Sequence, residues 1–397
     1  MNEKGSVFGG MLLVVGCCVG AGMLGLPIVT GLAGFFPSLF MLIAAWAFMT
    51  LTGLLLVEVN GWFPERVNLL TMTENTLGKI GKAVCWITYL FLFYAVLVGY
   101  ISGIGGLFTT FFQSAFSLRV PEWIGSLFFV LLFGWIVYSG TRRVDLCNRG
   151  LMVGKIGAFI LLLCFGVSFM KPTLLLHFDP KYTFISLPLL IISFGFHNIV
   201  PSLVDYLKGD IKKVRFTIIC GSLLTLALYL VWEVFVLALI PVVGENGLEM
   251  SLKHDREASQ ALTTVVGSSW ISVFAQALAF FAILTSFISI ALSLVHFLAD
   301  GLKISYKRQE NGYLCSLALA PPLCVSLFYP KLFFKALNFA GGICTVILFG
   351  ILPVLMVFVG RRRRKESGYL VAGGKWTLSY ALFFALFVLV LQLCNLF

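Results

Sequence analysis

The chain reads as long apolar runs separated by short polar stretches. Eleven runs stand out, over residues 6–31, 34–58, 81–112, 121–139, 146–170, 183–206, 213–240, 267–299, 313–329, 332–359 and 375–396. Each falls in or above the range of roughly 17–25 residues that an α-helix needs to cross a hydrocarbon core. Lipid offers no partner to backbone amides, so runs of this length are predicted to be helices. The pattern predicts an all-α polytopic membrane protein of eleven transmembrane helices. It forms one transmembrane domain over 1–397, with no room for a separate soluble domain.

The order of the runs carries a symmetry. Runs one to five (6–170) and six to ten (183–359) can be laid on each other as two halves, leaving 375–396 as an extra C-terminal helix. Five crossings per half make the halves point in opposite directions, an inverted 5+5 repeat. Runs three and eight are both long, as tilted equivalents would be. The first run of each half is interrupted at its middle by helix-poor residues.

In the first run the stretch "GCCVGAGMLGLP" puts Gly16, Gly20, Gly22 and Gly25 close together, with Pro27 after them. Each interior glycine costs about 1 kcal/mol of helix stability relative to alanine, so four together invite unwinding. The unwound turn frees backbone N–H groups at the positive end of an outer half-helix, which suits a carboxylate. Close helix packing through small-xxx-small spacing is the competing explanation. Run six repeats the feature in "SLPLLIISFGFHNIVPSLVDY", where Pro188 and Pro201 flank Ser193, Phe194, Gly195, Phe196, His197 and Asn198. Two breaks at matched positions predict a central site sized for an amino acid. Phe194 and Phe196 are candidates for the wall of an apolar or aromatic pocket, against the alternative of ordinary packing aromatics.

Composition supports this picture. The sequence is 60% hydrophobic and 11% charged, with a mean hydropathy of +1.01, whereas a soluble domain carries about a quarter of charged residues. The net charge of +11 reflects topology rather than nucleic acid. With the N-terminus inside, 21 of the 28 Lys and Arg fall on inside segments, the "RRRRK" run from Arg361 to Lys365 among them. This places the N-terminus in the cytoplasm and the C-terminus outside. The ten cysteines lie within or beside apolar runs without metal-ligand spacing and read as free thiols. No phosphate-cradling loop, HExxH or GxSxG occurs, so neither an enzyme nor a bound cofactor is expected.

Ionisable groups inside the membrane are functional candidates by default. His197 suits a proton carrier or a hydrogen bond to substrate; capping the broken backbone is the alternative. His296 is read as structural. Lys155 either snorkels to the inner surface or lays its ammonium where a coupling cation would sit, between runs one and eight, with Thr285, Ser286 and Ser289 as partners. Glu58 lies near one face, and Glu233 lies deep in run seven with no partner visible in the sequence. Tyr94 and Tyr100 in run three are candidates to reach the site with a hydroxyl. The polar stretch 241–266 is the longest outside connection, and its second part is a candidate helix over the outer vestibule.

The segments "GSVFGGMLLVVGCCVGAGMLGLPIVTGLAGFFPSL", "TGLLLVEVN" and "SFGFHNIVPSLVDYL" resemble the hydroxy/aromatic amino acid permease family, specifically its tyrosine/tryptophan permeases. The resemblance covers essentially the whole chain. It implies an eleven-span bacterial inner-membrane protein of the amino acid–polyamine–organocation superfamily, with a LeuT-type inverted repeat. It also implies proton-coupled import of tyrosine or tryptophan. Carried over by position, Gly20, Ala21, Gly22 and Met23 would hold the amino acid backbone, and Ser193 to His197 would complete the site and shape the side-chain pocket. No matched motif fixes the coupling residue. Two rivals stay open: a sodium-coupled or exchange transporter of another neutral amino acid, and a channel, whose continuous pore lining the paired breaks oppose.

Overall fold

The structure is a computed structural model and describes residues 5–63, 67–118, 120–304, 311–363 and 368–394. Lys4, Arg66, Arg119, Lys307, Arg308, Arg364 and Lys365, which enter the charge count above, lie outside them. No strand occurs among the described residues.

The first apolar run forms α1 (Val7–Cys18) and α2 (Gly22–Thr30), bent by 61° at the break between them. The Ser6 hydroxyl accepts from the Gly9 N–H at 2.9 Å and starts α1. Then follow α3 (Phe35–Asn60), α4 (Leu69–Phe116), α5 (Glu122–Tyr138) and α6 (Thr141–Gly166). The α4 helix is longer than the expected 81–112 because an additional stretch, 69–77, leads into it and bends away at Gly78, whose φ is +77°. Asn68 caps that lead-in by accepting from Thr71 N–H.

Run six is short pieces: a 3-10 turn Pro180–Ser186, α7 (Leu187–Ser193), a second 3-10 turn His197–Ile199, and α8 (Val200–Tyr206). Pro188 and Pro201 each sit at the start of a helical piece, where a missing N–H costs nothing. The chain continues as α9 (Ile211–Leu237), two connection helices α10 (Leu248–Lys253) and α11 (Ala258–Val266), then α12 (Ser269–Leu302) and α13 (Asn311–Phe328). Run ten is α14 (Phe333–Phe339), a π-helical stretch Ala340–Ile351 and α15 (Leu352–Arg363); α16 is Gly374–Cys394. A Cβ on Gly341, in the π-helical stretch, would lie 1.9 Å from the Pro188 carbonyl oxygen. Only glycine lets run ten approach α7 so closely.

Among the described residues eight helical stretches are long and apolar enough to cross a membrane, and the bent pair α1–α2 makes nine. The α5 and α13 helices are apolar but shorter. The Asp179 N–H donates to Ala33 O at 2.9 Å and the Lys171 N–H to Ala238 O at 2.7 Å, so the loops 31–34, 167–186 and 238–268 gather at one end of the bundle, away from the start of α1. The end with the start of α1 and the end with these loops are called the near and far faces below.

The two faces are held together by different contacts. On the far face Asp255 accepts from the N–H groups of Phe333 and Phe334 at 2.7 and 3.0 Å, tying the α10–α11 connection to the start of α14. On the near face Glu58, fully buried at the end of α3, receives both a 2.7 Å bond from Arg361 Nε and one from Nη2. The Val371 N–H adds a third at 2.7 Å. Arg215 of α9 lies 4.2 Å over the Tyr369 ring in the same cluster.

Candidate functional site

The two helix breaks meet. A Cβ on Gly22 would lie 2.9 Å from Ser193 Oγ, so the first residue of α2 rests directly on the last residue of α7. Tyr229 of α9 stitches them: its hydroxyl lies 2.7 Å from the Cys18 carbonyl oxygen and 2.8 Å from that of Ser193. These carbonyls are freed because each helix stops there, and a phenol carries one proton to serve them in turn. Cys17 reaches across, its Sγ 3.3 Å from Asn198 Oδ1 and 3.6 Å from Gly195 O.

The first break is held from three sides. Lys155 Nζ donates to Val19 O at 2.7 Å, and the lysine is only 5% exposed, so it does not snorkel to a surface. Ser286 Oγ accepts from Ala21 N–H at 3.3 Å, and a Cβ on Gly20 would come within 2.5 Å of the same oxygen. Tyr100 sits beside Ser286. Trp232 Nε1 donates to Met23 O at 2.9 Å. Among the described residues the Gly22 N–H, the first of the outer half-helix, has no hydrogen-bond acceptor.

The second break is packed by rings. Phe194 lies edge-on to Tyr229 with centroids 5.1 Å apart. Phe196 is pressed against α3, where a Cβ on Gly53 would lie 2.7 Å from the ring. His197 is sandwiched between Phe196 and Phe349, at 4.9 and 4.7 Å, nearly parallel to the latter. Its Nε2 lies 2.9 Å from Thr52 Oγ1, whose proton has the Phe48 carbonyl 3.1 Å away as its helical acceptor. With that arrangement Nε2–H donates to Thr52 and Nδ1 keeps a bare lone pair; Nδ1 is buried without a partner.

A cavity of about 530 Å³ runs from the near face to this point, lined by Tyr89, Phe93, His197, Asn198, Ser293 and Phe297 among others. Tyr89, Phe93 and Phe297 form a ring cluster with mutual centroid distances of 5.6 to 5.8 Å, and Phe349 stands 6.1 Å from Tyr89. The larger cavity, about 670 Å³, lies toward the far face between α4 and α12 and touches neither break.

Three expected residues do not reach the breaks. Tyr94 turns away, and its hydroxyl donates to Leu317 O of α13 at 2.9 Å: it directly follows Phe93, so it lies about 100° around the helix from the face that Tyr89 and Phe93 share. Thr285 and Ser289 spend their hydroxyls along their own helix, on Ala282 O and Thr285 O. Of the three α12 hydroxyls only Ser286 faces the first break. Sequence reasoning missed Tyr229, Trp232, Cys17, Tyr89, Phe93, Phe297 and Phe349. The Tyr89–Phe93 spacing is the one signal that pointed to a shared helix face.

The tryptophan/tyrosine permease family model matches residues 3–392. The tyrosine-specific transport system 1 of Haemophilus influenzae is 32% identical, covering 93% of this chain and 92% of its own length. The tryptophan-specific transport protein of the same organism is 29% identical, with 99% and 96% covered. The low affinity tryptophan permease of Escherichia coli K12 is 26% identical over 100% and 97%. Among solved structures, MhsT in complex with L-phenylalanine superimposes over the whole of both chains with a TM-score of 0.61 at 14% identity. That likeness shows the fold, the LeuT type. With residues 3–392 matched and a relative 32% identical over nearly its whole length, this chain is a multi-span membrane protein that belongs to the tryptophan/tyrosine permease family.

Proposed function

We propose that the protein is a proton-coupled symporter that imports an aromatic amino acid, tyrosine ahead of tryptophan, by alternating access across a bacterial cytoplasmic membrane. The carrying observation is that two broken helices touch, with a ring-walled cavity ending on the second break at His197 and Asn198. The relatives transport tyrosine or tryptophan, and MhsT holds L-phenylalanine. Aromatic substrate is the chemistry they share.

In this reading the substrate carboxylate binds the unpaired Gly22 N–H at the positive start of α2, and its ammonium binds backbone carbonyls near Phe194 at the end of α7. The ring leaves the breaks toward Tyr89, Phe93, Phe297 and Phe349. The His197 Nδ1 lone pair accepts from a phenol O–H or an indole N–H, which favours tyrosine and tryptophan over phenylalanine. Lys155 is the candidate coupling group at the first break, with Ser286 opposite it. The chain crosses eleven times, as inverted halves over 6–170 and 183–359 plus the helix 375–396. The near face is cytoplasmic, so the cavity opens inward and the far face is shut. Runs one, two, six and seven rock against three, four, eight and nine.

Uptake of labelled tyrosine into proteoliposomes tests this. An inside-alkaline pH gradient is expected to drive accumulation without sodium, with unlabelled tyrosine and tryptophan competing better than phenylalanine. Uptake that ignores pH and follows a sodium gradient defeats the coupling, and uptake that never saturates defeats the carrier.

A further inference from the structure

We propose that Glu233 is a second proton-binding site, one that holds its proton in the present conformation and exchanges it with the far side when that face opens. Glu233 is fully buried in α9, one turn beyond the Tyr229 that joins the two breaks. Among the described residues its carboxyl group meets a single polar side chain. Thr30 Oγ1, at the end of the outer half-helix α2, lies 3.1 Å from Oε1 and 2.9 Å from Oε2.

Counting protons fixes the state of that carboxyl. The Thr30 hydroxyl has one hydrogen and also lies 2.8 Å from Leu26 O, the acceptor one helical turn back. With its hydrogen on Leu26 O, the hydroxyl turns lone pairs toward the carboxyl, and contact is favourable only when the carboxyl donates. With its hydrogen on Glu233, a buried carboxylate rests on one neutral hydrogen bond, and nothing else offsets its desolvation. Both arrangements favour the neutral acid.

No cation reverses this among the described residues. The α2 helix brings no titratable group. Glu58 of α3 sits on the near face with Arg361. The Lys155 ammonium of α6 is on Val19 O, and α1 contributes only the thiols of Cys17 and Cys18. On the connection helix α10, Glu249 and Lys253 are exposed. His177, beside the 3-10 turn that flanks α9, lies 3.2 Å from Leu32 O. On α9 itself the Tyr229 hydroxyl is taken by the breaks.

What seals the site is on the far face. A Cβ on Gly31, the residue after Thr30, would lie 2.3 Å from Leu237 and 2.5 Å from Leu248 of α10. Lifting the α10–α11 connection removes Leu248 and opens Thr30 and Glu233 to that side. A proton taken there is then carried in with the substrate. The transport role rests on the symport reading above, whereas the protonated state does not.

Two measurements separate the parts. In proteoliposomes, Glu233→Gln, which keeps the shape and neutrality of the acid, is expected to catalyse tyrosine exchange at the wild-type rate. It is expected to lose the share of pH-driven accumulation that one proton carries, roughly tenfold per pH unit, keeping only what Lys155 couples. Wild-type accumulation by Glu233→Gln overturns the coupling role. Infrared spectroscopy of the purified protein at pH 7 tests the proton directly: a protonated-carboxyl C=O absorption present in wild type is expected to lose a share in Glu233→Gln. An unchanged absorption, or none in wild type, overturns the site even if transport is sodium-driven or the variant does not fold.

Discussion

At the scale of single residues the site is built from backbone groups that the helix breaks release and a few side chains that collect them. Tyr229 is the most economical of these, one hydroxyl within 2.8 Å of a freed carbonyl on each broken helix. Tyr229→Phe keeps the ring against Phe194 and removes only that oxygen. Leaving a buried carbonyl without its donor costs about 1–3 kcal/mol, so the variant is expected to unfold that much more easily in a denaturant titration in detergent. Unchanged stability would mean the bridge contributes nothing. Glycines and prolines announced both breaks in the sequence, because their effect on a helix is local. Tyr229 was illegible for the opposite reason. Its role depends on which face of α9 meets two other helices, and a tyrosine in an apolar run looks the same on any face. Lys155 shows the intermediate case, since the sequence marked it as costly but did not reveal that its ammonium would find Val19 O.

At the scale of elements, helix ends decide how the far face closes. The α11 helix begins at Glu257, whose carboxyl is met by the N–H groups of Ser259 and Gln260 and by the Ser259 hydroxyl. Burial pushes this carboxyl from 4.5 up to about 7, and those hydrogen bonds offset the push only in part. The folded connection therefore binds the proton more tightly than the opened one. Its stability is greatest below about pH 4.5 and falls as pH rises toward about 7, by roughly 3 kcal/mol across that window. Protection of the 248–266 amides, taken relative to the intrinsic base-catalysed exchange rate at each pH, is expected to be higher at pH 5 than at pH 8, with Glu257→Gln flattening the difference. Higher protection at pH 8 would reverse the sign and refute the assignment. Element lengths were largely readable, since apolar runs set them. The lead-in at 69–77 was not, because it is polar enough to resemble a loop until Gly78 turns it.

At the scale of the whole molecule, an all-helical fold was legible because lipid permits few alternatives for a chain this apolar, while the LeuT type was implied only by the family resemblance. The asymmetry of access was not legible. It arises from Asp255 capping α14 on one face while a ring-lined cavity stays open on the other, and such contacts join residues far apart in sequence. The central claim is that the touching breaks are where an aromatic amino acid binds. Equilibrium binding of labelled tyrosine to purified wild type and Gly22→Leu tests it most directly, since a side chain at residue 22 would enter the space beside Ser193. Saturable wild-type binding, with at least a tenfold loss in a variant that remains monodisperse, is the expected result. Equal affinity in the two proteins would contradict it.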